Sequence, residues 1–502
     1  MVKAKGGERA AGWKRASAPE KAEIRRMESR KEETMHIPLA RRTFLARVGL
    51  GVAALPFLSA LPESHAAEAG SKQAGKEAPA PAMTGVHLNV RDFGALGDGK
   101  TKDTAAIQQA LDRCSVLGGG EVLIPEGDYR TGAVVLRSNT TLRLDAGSSL
   151  LGSPDLADYP LTQVRWEGRW SKGYIGLVSA MDAENIAILG AGKIAGNTAI
   201  AGRVDPATQL RHPALLEFTH CRNLRVEDCI TSQNDMWSIH PTYCENVTFK
   251  NVTVHGGADG IDVDSCKQVA IDGCTFATAD DCISLKSGRG MEGHAIHQPT
   301  EDVLISNCTF ADLHWACIGI GSETSGGIRN VRVEHCTCTS ARTFAIYIKS
   351  RPGRGAFIED IYVNDLDVCG AQSGFLRFNI LNSGKQDEFP VPGDEGIPTI
   401  QNFHFSNIRV KDVPVLVDGV GIHPRKPLAG FSLTNVTGTC GKGIFLANIH
   451  DADLRKIEVT GYSGPLLSIS NVTGAGLEGA ARLEAAKLPD PIPAPVHPYT
   501  LQ

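Results

Sequence analysis

Short alternating stretches recur along this chain at intervals of 22 residues and upward, and they limit the possible folds more than any other feature. Asn223-Leu-Arg-Val-Glu-Asp-Cys, Asn246-Val-Thr-Phe-Lys-Asn-Val, Gln268-Val-Ala-Ile-Asp-Gly-Cys and Asp302-Val-Leu-Ile-Ser-Asn-Cys share one pattern. It continues through Asn330-Val-Arg-Val-Glu-His-Cys, Asp360-Ile-Tyr-Val-Asn-Asp-Leu, Asn402-Phe-His-Phe-Ser-Asn-Ile and Gly430-Phe-Ser-Leu-Thr-Asn-Val. Each is a short strand with an apolar residue at every second position, set between polar turns. A period of this size means a solenoid, in which each unit buries its apolar face only against its neighbours. No long helical pattern intervenes, which excludes the helical solenoids. The expected fold is all-β: a single-stranded, right-handed parallel β-helix. Such a stack needs a lid at its open end. Asp103 to Cys114 supplies a helix with Ile107, Ala110, Leu111 and Cys114 on one face, Asp103 as its N-terminal cap and Gly118-Gly119-Gly120 as its stop.

Residues 1–66 read as an extension and an export signal. Arg41-Arg42 before the apolar run Val48 to Leu61 is the twin-arginine pattern, Ser64-His65-Ala66 offers a cleavage site, and Met35 is a plausible start. The run is too short for a transmembrane helix. Residues 67–85 then form a linker, 86–487 the β-helix and 488–502 a Pro-rich tail lying against the last coil or loose. The mature protein is expected to be a monomer, exported to the periplasm or outside the cell, with no membrane contact. A formal net charge of −5 and the lack of a basic run in the mature region exclude a nucleic-acid partner. The 13 cysteines are odd in number, and Cys221, Cys244 and Cys266 fall at equivalent repeat positions, so a ladder of buried thiols is expected instead of a disulfide framework.

Chemistry enters with Gly-Ala-Asp259-Gly-Ile-Asp262 and Thr-Ala-Asp280-Asp281-Cys-Ile. Asp259 and Asp281 are 22 residues apart, one repeat. On adjacent coils they stand at strand spacing, about 4.8 Å by backbone, with Asp280 beside them. Three carboxylates so close repel, so at least one is expected to hold its proton near neutral pH. A protonated acid beside ionised bases is equipment for hydrolysing a glycosidic bond.

Asn89-Val-Arg-Asp-Phe-Gly-Ala-Leu-Gly-Asp-Gly resembles the start of pectin-degrading β-helix enzymes. Asp259-Gly-Ile-Asp, Asp280-Asp281-Cys and Ile348-Lys349-Ser resemble glycoside hydrolase family 28, the polygalacturonase family, as do Trp237-Ser-Ile-His-Pro and Ile320-Gly-Ser-Glu-Thr-Ser-Gly-Gly. The resemblance spans roughly residues 86–450. It implies an inverting hydrolase of acidic, galacturonate-containing polysaccharide with no cofactor and no metal. Asp280 would be the general acid, Asp259 and Asp281 would activate water, and Lys349 would bind a substrate carboxylate. Three departures stand out. Gly257-Ala258 replaces the family's Asn-Thr before the first aspartate. His314, in Asp312-Leu-His-Trp-Ala-Cys, is displaced from the family's Gly-His-Gly. Tyr347 replaces the arginine of Arg-Ile-Lys, leaving Arg351 or Arg354 to compensate. These departures point towards rhamnogalacturonan-type substrates as the alternative within the family.

Alternation turns Ile239, Ile261, Ile283, Ile318 and Ile346 inward and His240, Asp262, Ser284, Gly319 and Tyr347 outward. A second outward row holds Asp264, Lys286, Gly321 and Lys349, where Asp264 and Lys286 read as an ion pair across coils. Lys286 and His240 are further candidate substrate contacts, and Trp237 and Tyr347 candidates to stack on sugar rings. The Gly-rich insertion from Ser287 is expected to wall the cleft. Two other functions fit the same fold: a calcium-dependent pectate lyase, and a non-catalytic pectin-binding β-helix.

Overall fold

The computed structural model describes residues 85–312, 315–484, 486–492 and 499–501, so the export signal and nearly all of the linker lie outside the described residues. From His87 the chain winds into coils of parallel strands, a parallel β-helix as expected. Six successive coils carry the site and its surroundings. Their first strands are Leu216–Thr219, Ile239–Thr242, Ile261–Asp264, Ile283–Lys286, Ile318–Ile320 and Phe344–Lys349. Leu216, Ile239, Ile261, Ile283, Ile318 and Ile346 stand in one register and are all buried, as the alternation requires. The second strands stack Leu224, Val247, Val269, Val303, Val331, Ile361, Phe403 and Phe431 in the same way. Each such side chain contributes roughly 1.5–3 kcal/mol by leaving water.

The polar residues that bracket each repeat have a conformational reason. Asn223, Asn246, Gln268, Asp302, Asn330, Asp360 and Asn402 all have φ between 52° and 59°. Asp228, Asn251, Asn307, His335, Asp365, Asn407 and Asn435, which close the repeats, are also left-handed. Asn and Asp tolerate that region because their short side chains bond locally. Here they also bond between coils: Asn246 Nδ2 donates to Asn223 Oδ1 and Asn223 Nδ2 to Asn185 Oδ1, each at 2.7 Å. Cys221, Cys244 and Cys266 form the expected buried ladder, with their thiols donating to backbone carbonyls at 3.3–3.5 Å. One pair departs from that expectation: Cys317 and Cys338, on adjacent coils, form a disulfide with Cα atoms 6.5 Å apart.

Helix α1, Thr104–Val116, covers the open end of the stack and buries the expected face. Asp103 does not cap it through its side chain. Its carboxylate accepts instead from Leu96 N at 2.8 Å and Gly97 N at 3.1 Å, tying the preceding turn to the helix start. In the tail, Tyr499 lies against Phe389, ring centroids 5.7 Å apart. Four excursions rise from one face of the stack. They are the antiparallel hairpin Leu161–Trp166/Arg169–Tyr174, the stretch 196–213, the insertion carrying α2 (Gly290–Ile296) and the loop 380–398.

Candidate active site

Asp259 and Asp281 each come just before the first strand of a coil, and the coils are neighbours: Gly260 N donates to Asp281 O at 2.9 Å. Asp280 N reaches Ala258 O at 3.4 Å, so all three aspartates gather at one strand edge. Ser284, one coil-row inward, has its hydroxyl 3.3 Å from Asp259 Oδ2 and 3.1 Å from Asp281 Oδ2. Its single proton serves one carboxylate at a time. The two carboxylates are thus within two hydrogen-bond lengths of each other on a buried floor. Asp280 stands higher, about a third exposed at 32%.

Each carboxylate faces its own cation. Lys286 Nζ is 3.1 Å from Asp259 and 2.7 Å from Asp262, Lys349 Nζ bonds Asp281, and Arg203 Nη2 bonds Asp280 Oδ2. Lys349 reaches Asp281 across Gly319, where any β-carbon would collide with both groups. The expected pairing of Lys286 with Asp264 is not formed. Asp264 accepts from Arg165 of the hairpin at 3.0 Å, and Lys286 turns back to Asp259 and Asp262 because those carboxylates would otherwise be buried unpaired.

Environment separates the acids. Burial raises Asp259, but Lys286, Arg203 and Lys349 outweigh it and hold the group below its usual range, ionised. Burial pushes Asp281 up despite Lys349, with the charges of Asp259 and Asp280 adding to it. Burial and the charge of Asp259 push Asp262 much further, against Lys286. The group most ready to keep a proton is therefore Asp262, behind the expected trio.

The remaining expected residues divide. Tyr347, Lys286, Lys349 and Trp237 line a cleft of about 360 Å3, inside the ~300–1,000 Å3 usual for ligand pockets. Trp237 does not offer a free face for stacking: Lys286 Nζ sits 4.5 Å over its ring and Trp166 and His240 pack around it, leaving it buried. The open aromatic in the cleft is Trp315, 44% exposed. His240 is not a cleft residue. It is buried 3.8 Å from Glu217, whose carboxylate burial would raise but Arg211 and His240 hold at about 2. Nor does Arg354 compensate for the absent arginine: it is fully buried on Asp387. Arg351 does not line the cleft either; its Nη1 donates to Gly384 O at 2.6 Å and holds a loop that does. His314 lies outside the described residues. The loss of asparagine before Asp259 has a local cause. A β-carbon at Gly257 would lie 2.5 Å from Asp235 Oδ1 and 3.0 Å from Asn234 O.

Sequence reasoning placed the insertion from Ser287 in the wall but missed the charges that join the wall together. Glu167, at the hairpin tip, accepts from Arg289 at 3.2 Å and from Lys385 at 3.0 Å, joining three segments distant in sequence. Arg289 also pairs with Asp387 at 2.7 Å. The insertion from Ser287 therefore does contribute to the wall, through Arg289. Glu323 lines the cleft as well; burial raises it, but Lys286, Arg354, Lys349 and Arg289 together hold it low. Glu323 had a signal, since it lies in the Ile320-Gly-Ser-Glu stretch, whereas Arg203 had none: it is 77 residues from its partner Asp280, inside an irregular excursion.

Residues 114–375 match the model of Glycosyl hydrolases family 28. A probable polygalacturonase of Vitis vinifera is 28% identical over 362 residues, covering 69% of this chain and 73% of the relative. An exo-poly-alpha-D-galacturonosidase of Dickeya chrysanthemi is 26% identical, covering 70% of this chain and 65% of the relative. Among solved structures, a hyperthermoactive exopolygalacturonase from Thermotoga maritima superposes with a TM-score of 0.67 at 25% identity, over 77% of this chain and 94% of its own.

Proposed function

Because this chain belongs to the Glycosyl hydrolases family 28 and is a polygalacturonase-like glycosidase acting on pectin, we propose that it removes galacturonate units from a chain end by single-step inverting hydrolysis. Asp280 gives its proton to the glycosidic oxygen as the bond from that oxygen to the anomeric carbon breaks. Asp259, with Asp281, takes a proton from the water whose oxygen bonds to the same carbon from the opposite face. The proton lost by Asp280 is replaced by the one taken from water, so the enzyme returns to its starting state. One observation carries this assignment: a buried carboxylate pair joined through Ser284, with a third, partly exposed carboxylate above it. Asp259, held ionised by its cations, is the member of the pair ready to accept a proton. The lyase reading fares worse here, since the three carboxylates already face three protein cations and offer little net charge to a calcium ion. The Arg41-Arg42 signal supports export to the polymer.

End-on cleavage is supported by the wall. Glu167, Arg289 and Lys385 close one side of the cleft with ion pairs across three loops, and a polymer cannot run on through a closed end. The names of the Dickeya and Thermotoga relatives point the same way. With polygalacturonate in EDTA, the expected products are of one short, constant size from the first minutes. Glu167→Ala is expected to release a range of longer oligomers within the same assay, read by chromatography of early time points. Longer oligomers from the wild type, or an unchanged product from Glu167→Ala, would remove the exo reading. Cleavage of rhamnogalacturonan alone would move the substrate to the alternating polymer.

A further inference from the structure

Arg203 is the cation of the cleft with the most unspent hydrogen-bonding capacity. Its backbone is fixed: His212 N donates to Arg203 O at 2.9 Å, and Gly202 N donates to Asp235 Oδ2 at 2.8 Å. Its side chain is long, 39% exposed, and makes a single hydrogen bond among the described residues, from Nη2 to Asp280 Oδ2. A guanidinium carries five N–H bonds, and its fork matches a carboxylate with two of them. The other cleft cations are committed. Lys286 is buried between two aspartates, Lys349 lies against Asp281, Arg289 holds Glu167 and Asp387, and Lys385 bonds both oxygens of Glu167.

Asp280, in turn, accepts on both oxygens: Oδ1 from Asp281 N at 3.1 Å and Oδ2 from Arg203. A guanidinium bonded to a carboxyl favours its ionised form, which has no proton to donate. The bond to Asp281 N is backbone and rigid; the bond to Arg203 is a side-chain contact at the cleft surface. We propose that Arg203 is the specificity residue that replaces the arginine absent at Tyr347, and that a substrate carboxylate beside the scissile bond draws it off Asp280. The substrate's own charge then frees Asp280 Oδ2 for its proton, so a neutral sugar binds without arming the acid. This rests on the hydrolase reading above.

The test compares galacturonate oligomers with their methyl esters, which are neutral at the same carbon, on wild type, Arg203→Gln and Arg203→Lys. The wild type is expected to favour the acid form, with the preference in kcat as well as in KM. Arg203→Gln is expected to lower kcat/KM about 100-fold on the acid form and far less on the ester, collapsing the preference. Arg203→Lys, a point charge without the fork, is expected to recover part of it. An equal loss on both substrates would mean a merely structural role and overturn the proposal, as would an undiminished preference in Arg203→Gln. A wild type inactive on every galacturonate oligomer would instead overturn the hydrolase reading.

Discussion

Asp280→Asn is expected to lower kcat by about 100- to 10,000-fold, the range of a lost general acid, while leaving the fold as stable as before. Asparagine is nearly the same shape and still accepts from Asp281 N, but it has no acidic proton to give the leaving oxygen. Asp280 is about a third exposed and its ion pair with Arg203 lies at the surface, where such pairs contribute roughly 0–1 kcal/mol. Activity and stability should therefore separate cleanly. Reducing-end release and thermal midpoint, measured on the same preparation, check both halves. A variant that keeps more than a tenth of the activity would move the acid to another group. A variant that loses activity and melts early would make Asp280 a structural residue.

Lys286→Met should do the reverse and cost stability. Lys286 is buried between Asp259 and Asp262, and it makes the one ion pair of Asp262 among the described residues. Removing one member of a buried pair costs about 3–5 kcal/mol when the other stays charged; Asp262, pushed well up by burial and Asp259, escapes that by holding a proton at lower pH, so the loss grows as pH rises. Asp259 suffers less because Arg203 and Lys349 still act on it. Adding Asp262→Asn to Lys286→Met should therefore recover much of the loss at alkaline pH, where Asp262 would otherwise be ionised and unpaired. Urea midpoints at constant slope would show this. Equal midpoints for the single and double variants would mean that Asp262 is not the group Lys286 holds.

The repeat was enough for the fold because its signal is local and periodic. Asn223, Asn246 and their equivalents mark left-handed turns, and Val247 or Val269 mark inward positions whatever the loops do. The aspartate trio was legible for the same reason: Asp259 and Asp281 differ by one coil. Lys286 and Lys349 were legible as positions but not as partners, since pairing depends on what covers the sheet. Once the hairpin brings Arg165 down onto Asp264, Lys286 is released to Asp259 and Asp262. His240 misled because outward-facing on a strand need not mean exposed; Trp237 covers it. Glu167 and Arg203 sit on excursions with no period, and only the folded chain brings them to the cleft.

The central claim is that water attacks directly, activated by Asp259 with Asp281, with no covalent sugar–enzyme intermediate. The most direct measurement is proton NMR of the anomeric signal in the first seconds of digestion of a galacturonate oligomer, before the released sugar equilibrates. The expected result is a first product whose anomeric configuration is opposite to that of the bond cleaved. A first product of retained configuration would require an enzyme carboxylate as nucleophile and would contradict the mechanism.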